Sequence, residues 1–147
     1  MDKIRVDAGV KKILINDGPE FIEFNPGDIG FAERFYGLVK DFDSRRVKYL
    51  ERSTEIEANK ELDDSGLPAN VPEGLQLVRE VCERMREQID VVFGGGTSQK
   101  VFGDALSLDM FEQFFAGITP FIETARNKKI AKYIKPNAKS KKRVAMK

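Results

Sequence analysis

The sequence has no histidine, no tryptophan and a single cysteine in 147 residues. Without histidine there is no Ser-His-Asp or Cys-His catalysis, and the commonest general base near neutral pH is missing. One thiol, Cys82, can close no internal disulfide and build no zinc knuckle. An enzyme on this chain would have to work with carboxylates, lysines, tyrosines or that thiol. No run approaches the roughly 20 apolar residues that cross a bilayer. Met1-Asp2-Lys3-Ile4-Arg5 lacks the apolar stretch of a signal peptide. These absences place the protein in the cytoplasm of the cell that makes it, with no membrane partner and no cofactor.

What is present is a globular composition, 41% hydrophobic and 33% charged, with eleven phenylalanines among the apolar residues. The length suits one domain with a core of its own. The formal charge of +1 hides an asymmetry. Residues 128–147 carry nine basic groups and no acid, so residues 1–127 hold 16 basic against 24 acidic groups. An acidic body with a basic tail is a partner-binding pattern, and it is also a common way to keep a chain in solution.

The first 24 residues are predicted to be β-rich. Lys12–Ile15 and Glu20–Phe24 are short β-prone runs around Asn16-Asp17-Gly18-Pro19, whose Asp-Gly and Pro are turn chemistry. A hairpin follows, with a third strand expected over residues 3–7. The period then changes. Asn25-Pro26-Gly27-Asp28 reads as a helix start with Asn25 as N-cap, Pro26 in the first position, and Phe24 and Ile29 as a hydrophobic staple. Phe31, Phe35, Leu38 and Phe42 recur at helical spacing, with Ala32, Tyr36 and Val39 beside them. The pattern thins through Val47, Leu50, Ile56 and Leu62 and ends at Asp63-Asp64-Ser65-Gly66-Leu67-Pro68. A second helix is predicted over Glu73–Phe93, with a seam at Leu75, Val78, Cys82, Met85, Ile89 and Val92. A third spans 108–125, with Leu108, Phe111, Phe115, Ile118, Ile122 and Ala125 on its seam. Ser107 should cap it, Leu106 and Phe111 should staple it, and Pro120 should kink it. A short helical turn over Ser98–Ala105, capped by Thr97, is expected between the two.

The reading is an α+β, predominantly helical chain. A small N-terminal hairpin or three-stranded sheet packs on a bundle of three to four helices. Residues 1–134 form one globular domain (1–24 β-rich, 25–134 helical), and 135–147 form a basic disordered tail.

Each candidate site has a structural rival. Gly94-Gly95-Gly96-Thr97-Ser98-Gln99-Lys100 suggests a phosphate loop, but the Walker spacing is absent and the stretch follows a helix. A helix stop and turn explain it better. Asp41 and Asp43 on a helix point about 200° apart and cannot share an ion. Asp63-Asp64 reads as a surface turn. Cys82 lies on an apolar seam, as a small hydrophobe does. No metal site follows. The basic tail could neutralise nucleic-acid phosphates, yet it has only Tyr133 to stack on a base, so nucleic acid is disfavoured. Phe111, Phe114, Phe115 and Phe121 cover more than one face of the last helix. Any exposed remainder is a patch for self-association or a helical partner.

Three blocks carry a resemblance. They are Phe21-Ile22-Glu23-Phe24-Asn25-Pro26-Gly27-Asp28 running into Phe31-Ala32-Glu33-Arg34-Phe35, then Phe93-Gly94-Gly95-Gly96-Thr97-Ser98-Gln99-Lys100-Val101-Phe102-Gly103, then Phe111-Glu112-Gln113-Phe114-Phe115 through Ile130-Ala131-Lys132-Tyr133. As an ordered set they resemble the small tail assembly chaperones of long-tailed phages and prophages. The resemblance implies a non-enzymatic protein in the bacterial host cytoplasm. It implies binding to phage tail proteins, the tape-measure protein first, before tube subunits polymerise. No catalytic residue carries over. The expected partner-binding residues are the apolar ones of the last helix and the loop before it: Phe102, Phe111, Phe114, Phe115 and Phe121. Two alternatives stand beside this. One is a structural tail component, a connector or completion protein kept in the virion. The other is a small regulatory or nucleic-acid-binding protein acting through the basic tail.

Overall fold

The turn at Asn16–Pro19 does fold the chain back on itself. The computed structural model describes residues 1–134, so the expected basic tail, 135–147, lies outside the described residues. β1 (Lys11–Leu14) and β2 (Phe21–Phe24) pair antiparallel, with Lys11 opposite Phe24 and Leu14 opposite Phe21. The positive φ falls on Asn16, at 49°, rather than on Gly18. Asn tolerates the left-handed region because its short amide can bond locally. Period-two alternation buries Ile22 and Phe24 and leaves Phe21 and Glu23 outside.

The third strand expected over residues 3–7 does not form. Gly9 turns the chain at φ 76°, and its N–H donates to the Asp7 carboxylate at 2.9 Å. The Asn25 amide ties the Ala8 carbonyl to the end of β2. The chain therefore bends away before it can run beside β1, and Ile4 and Val6 stay exposed.

Among the described residues four α-helices follow: α1 (Ile29–Ala58), α2 (Val71–Phe93), α3 (Thr97–Phe102) and α4 (Leu108–Lys129), with a π-helical turn at Ile130–Ile134. The α1 cap is Asp28, whose carboxylate accepts from the Phe31 N–H at 3.1 Å. Asn25 serves the turn before it, accepting from the Gly27 N–H at 3.1 Å. Asx-Pro-Gly is a turn sequence first, and the cap moves three residues on. At its far end α1 is closed by Asn70, whose amide donates to the carbonyls of Ile56 and Asn59. Ser107 caps α4 as expected, accepting from Met110 N–H at 3.4 Å. Leu106 packs on the core that holds Phe111, as a staple should.

α3 starts one residue earlier than predicted, and Thr97 is buried rather than capping it. The cap comes from α2: Asp90 accepts from the Ser98 N–H at 2.8 Å and the Ser98 hydroxyl at 2.9 Å. A carboxylate in the last turn of one helix thus satisfies the first turn of the next. Asp90→Ala should cost about 1–3 kcal/mol, because it strips both partners from a half-buried helix start. Urea unfolding measures this, and Ser98→Ala should cost less.

The core is aromatic. Phe93 lies 5.3 Å from Phe31, 5.6 Å from Phe24 and 5.3 Å from Phe114, all edge-on. Phe102 meets Phe111 at 4.8 Å and Phe114 at 5.7 Å. Such pairs contribute about 0.5–1.5 kcal/mol each beyond burial. The chain is thus rich in phenylalanine because its rings join β2, α1, α2, α3 and α4 where small side chains would leave voids.

The predicted seams hold at one end of α2 and slip at the other. Cys82, Met85, Ile89 and Val92 are buried, but Leu77 and Val81 replace Leu75 and Val78. The first turns of α2 face α1, where Glu80 meets Arg52 at 2.5 Å. Only from Arg86 and Asp90 onward does α2 also bond to α3 and the loop after it. In α4, Phe111, Phe114, Ile118 and Ile122 are buried, Phe115 is half-buried and Leu108 is exposed. α4 runs on past Pro120, which sits on its exposed side.

Candidate protein-binding groove

α1 and α2 lie against each other along their length, and α4 crosses the same core. Between α1 and α4 an open groove of about 780 Å³ remains. Its α1 wall is Leu38, Val39, Phe42 and Asp43, and Met85 of α2 lies at its floor. Its α4 wall runs from Leu108 through Phe111, Glu112, Phe115, Ala116 and Thr119 to Pro120. At 1.5 Å per residue the α4 wall is about 18 Å long and the α1 wall about 7.5 Å, so a helix seated there lies along α4 for some three turns and is flanked by α1 over about one and a half of them. Most of the lining is apolar and belongs to side chains whose other edges are locked in the core. Phe115, for one, stands 6.2 Å from Phe35 and 5.7 Å from Phe114.

The polar lining is one-sided. Asp43 and Glu112 stand on opposite walls, and among the described residues no lysine or arginine lines the groove. Thr119 spends its hydroxyl proton on the Phe115 carbonyl at 2.7 Å. Pro120 has no N–H to give the Ala116 carbonyl one turn back.

The five phenylalanines expected to meet a partner separate. Phe102, Phe111 and Phe114 are core residues, 5%, 3% and 8% exposed, which corrects the expectation that they form a free surface. Their rings fill the space between α3, α4 and Phe93, so only an edge of Phe111 reaches the groove. Phe115 is half-buried on the groove wall. Phe121, 40% exposed, lies on another side of α4, in a cleft with Pro26, Lys11, Lys128 and Lys129 and, among the described residues, no acid. The sequence reading missed Leu38, Val39, Phe42, Met85, Ala116 and Thr119. The signal was the width of the α1 stripe, where Tyr36 and Val39 flank the Phe31-Phe35-Leu38-Phe42 line.

The other candidates resolve into structure. Gly94, at φ 111°, ends α2, and Gly96, at φ 88°, precedes α3, as a helix stop and turn require. Asp63 accepts from the N–H groups of Ser65 and Leu67 at 2.8 and 3.0 Å, a turn role. Cys82 is fully buried, and that burial pushes its thiol above the ordinary value, away from reactivity. Among the described residues no cluster of three or more metal-ligating side chains occurs, and no helix is long and apolar enough to cross a membrane.

Asp41 joins α1 to α2. Arg84 grips it with two nitrogens at 3.0 and 3.3 Å, and Arg45 adds a third contact at 3.3 Å. The Arg84 hydrogen bonds hold the carboxyl below its ordinary value, against a smaller opposing effect of burial. A carboxyl depressed by folding stabilises the protein above the unfolded value and ceases to do so as pH falls through the folded one. Acidification from about pH 7 to about pH 3 should therefore lower the urea midpoint. Arg84→Met should shrink that drop.

A family model matches residues 17–146, which takes in both walls of the groove and the whole helical body. The chain belongs to this family of unknown function, DUF6673. The match begins at the hairpin turn, so the unpaired segment 1–10 lies outside it. No curated protein and no solved structure matches the chain. What this DUF6673 protein does must therefore be argued from the groove.

Proposed function

We propose that this DUF6673 protein is a non-enzymatic tail assembly chaperone of a long-tailed phage or prophage, and that it holds an amphipathic helix of the tape-measure protein in the groove between α1 and α4. The observation that carries the reading is the groove itself: a long apolar trough, open to solvent, with walls fixed by an aromatic core. An exposed trough of that kind is a hydrophobic surface in search of a cover, and a helix laid in by its apolar face is the commonest cover. Phe42, Met85 and Phe115 supply contact area that tolerates many client sequences. The tail-chaperone resemblance of the Phe21–Phe35, Phe93–Gly103 and Phe111–Tyr133 blocks supplies the client. A tape measure is a long, largely helical chain that needs shielding until the tube surrounds it.

Co-expression with the tape-measure protein of the same genome tests this. The tape measure should become soluble and co-purify. An insoluble tape measure, with the DUF6673 protein recovered in intact virions, would replace the chaperone by a structural tail component. One feature favours that second reading: Val47 and Leu50 on α1 and Leu75 on α2, 61%, 58% and 67% exposed, are large apolar side chains left uncovered outside the groove.

A further inference from the structure

The groove also selects by charge. We infer that the helix it takes carries lysine or arginine on both flanks of its apolar stripe, an inference that rests on the groove being the client site. The polar groups along the trough are hydrogen-bond acceptors. Asp43 stands on the α1 wall and Glu112 on the α4 wall, and neither is in an ion pair among the described residues. The Ala116 carbonyl has lost its helical donor to Pro120. The one hydroxyl among the described lining residues, on Thr119, already donates to the Phe115 carbonyl. Carboxylates on the two walls, with no cation among the described lining residues, attract a helix whose stripe is edged by cations and repel one edged by acids. Such an acidic rim gives selectivity and on-rate, while the apolar floor supplies most of the affinity. An α-helix with apolar residues at i, i+4, i+7 and i+11 spans the Leu108–Pro120 wall. Lysines beside that stripe then reach Asp43 on one side and Glu112 on the other.

The opposite charge gathers elsewhere on α4. The cleft at Phe121 is rimmed by Lys11, Lys128 and Lys129. An acidic helix would go there or to the basic residues beyond, which gives the test its internal control.

The test uses the full chain and two fluorescent helical peptides with the same leucine stripe, one flanked by lysine and one by glutamate. Fluorescence anisotropy at low salt should show the lysine peptide binding at least about tenfold tighter, a gap that narrows as salt screens it. The double variant Asp43→Lys with Glu112→Lys should reverse the preference. Both positions are exposed and helical, and lysine is a good helix former, so folding is retained. Equal affinities, or a preference that the double variant leaves in place, overturn the charge inference while the client groove stands. Failure of both peptides to bind overturns the groove and the charge inference together. Glutamate-peptide binding that survives a blocked groove but fails in Lys128→Glu with Lys129→Glu assigns that peptide to the basic cleft and supports the inference. Self-association of the chain displaced by the lysine peptide would make the occupant a second copy, and overturns the assignment to a client.

Discussion

Phe114→Asp is expected to leave the protein without a cooperative unfolding transition. Phe114 is 8% exposed, and its ring meets Phe93, Phe102 and Phe115 at 5.3 to 5.7 Å. Even Phe114→Ala should cost about 3–5 kcal/mol through lost transfer energy and a cavity. A domain of this size holds only about 5–15 kcal/mol in all. A carboxylate at this position loses the same contacts and adds a buried charge, and the described residues that line the cleft with Phe114 include no lysine or arginine to receive it. Circular dichroism with urea titration reads the result. The same measurement decides how any loss of client binding at Phe114 should be understood, since an unfolded variant says nothing about a surface. A Phe114→Asp protein that unfolded cooperatively near the wild-type midpoint would show that the ring is not part of the core.

Ala116→Arg is expected to do the reverse: keep the fold and lose the client. Ala116 is exposed on the groove wall and sits mid-helix, where arginine is nearly as good a helix former. Surface changes of this kind usually stay within about 0.5 kcal/mol. The long side chain would lie across the trough and put a cation where the bound helix is to bring its own. Loss of tape-measure solubilisation, or a more than about tenfold weaker peptide affinity, should follow with an unchanged urea midpoint. The pair of variants separates the two jobs of α4, which builds the core with Phe111, Phe114, Ile118 and Ile122 and the groove with Glu112, Ala116 and Thr119.

The parts of this fold that were legible in the sequence are those decided locally. The hairpin turn, the Ser107 cap, the helix stop at Gly94 and the inward-facing Cys82 each depend on a few neighbouring residues. Where partners are distant in sequence, local reasoning slipped. Asn25 looks like an N-cap until its amide is claimed by Ala8 across 17 residues, and Thr97 yields the α3 start to Asp90. Leu75 and Val78 continue the α2 period, yet the packed face there is set by α1 and takes in Leu77 and Val81. The groove was hidden for the same reason. It is a space between two helices whose lining residues are more than 60 positions apart, and periodicity gives the faces of each helix but not the gap between them. The wide Phe pattern of α4 did point to a helix with more than core to serve. It did not say that Phe102, Phe111 and Phe114 belong to the core side, or that Phe121 faces a basic cleft.

The most direct test of the groove is a methyl NMR titration of the labelled protein with the lysine-flanked helix. The account predicts shifts concentrated at Leu38, Val39, Met85 and Leu108, with little change at Ile13 and Ile22 in the hairpin. It also predicts that Ala116→Arg abolishes those shifts. Perturbations confined to Val47, Leu50 and Leu75, or spread evenly with no focus between α1 and α4, would contradict it.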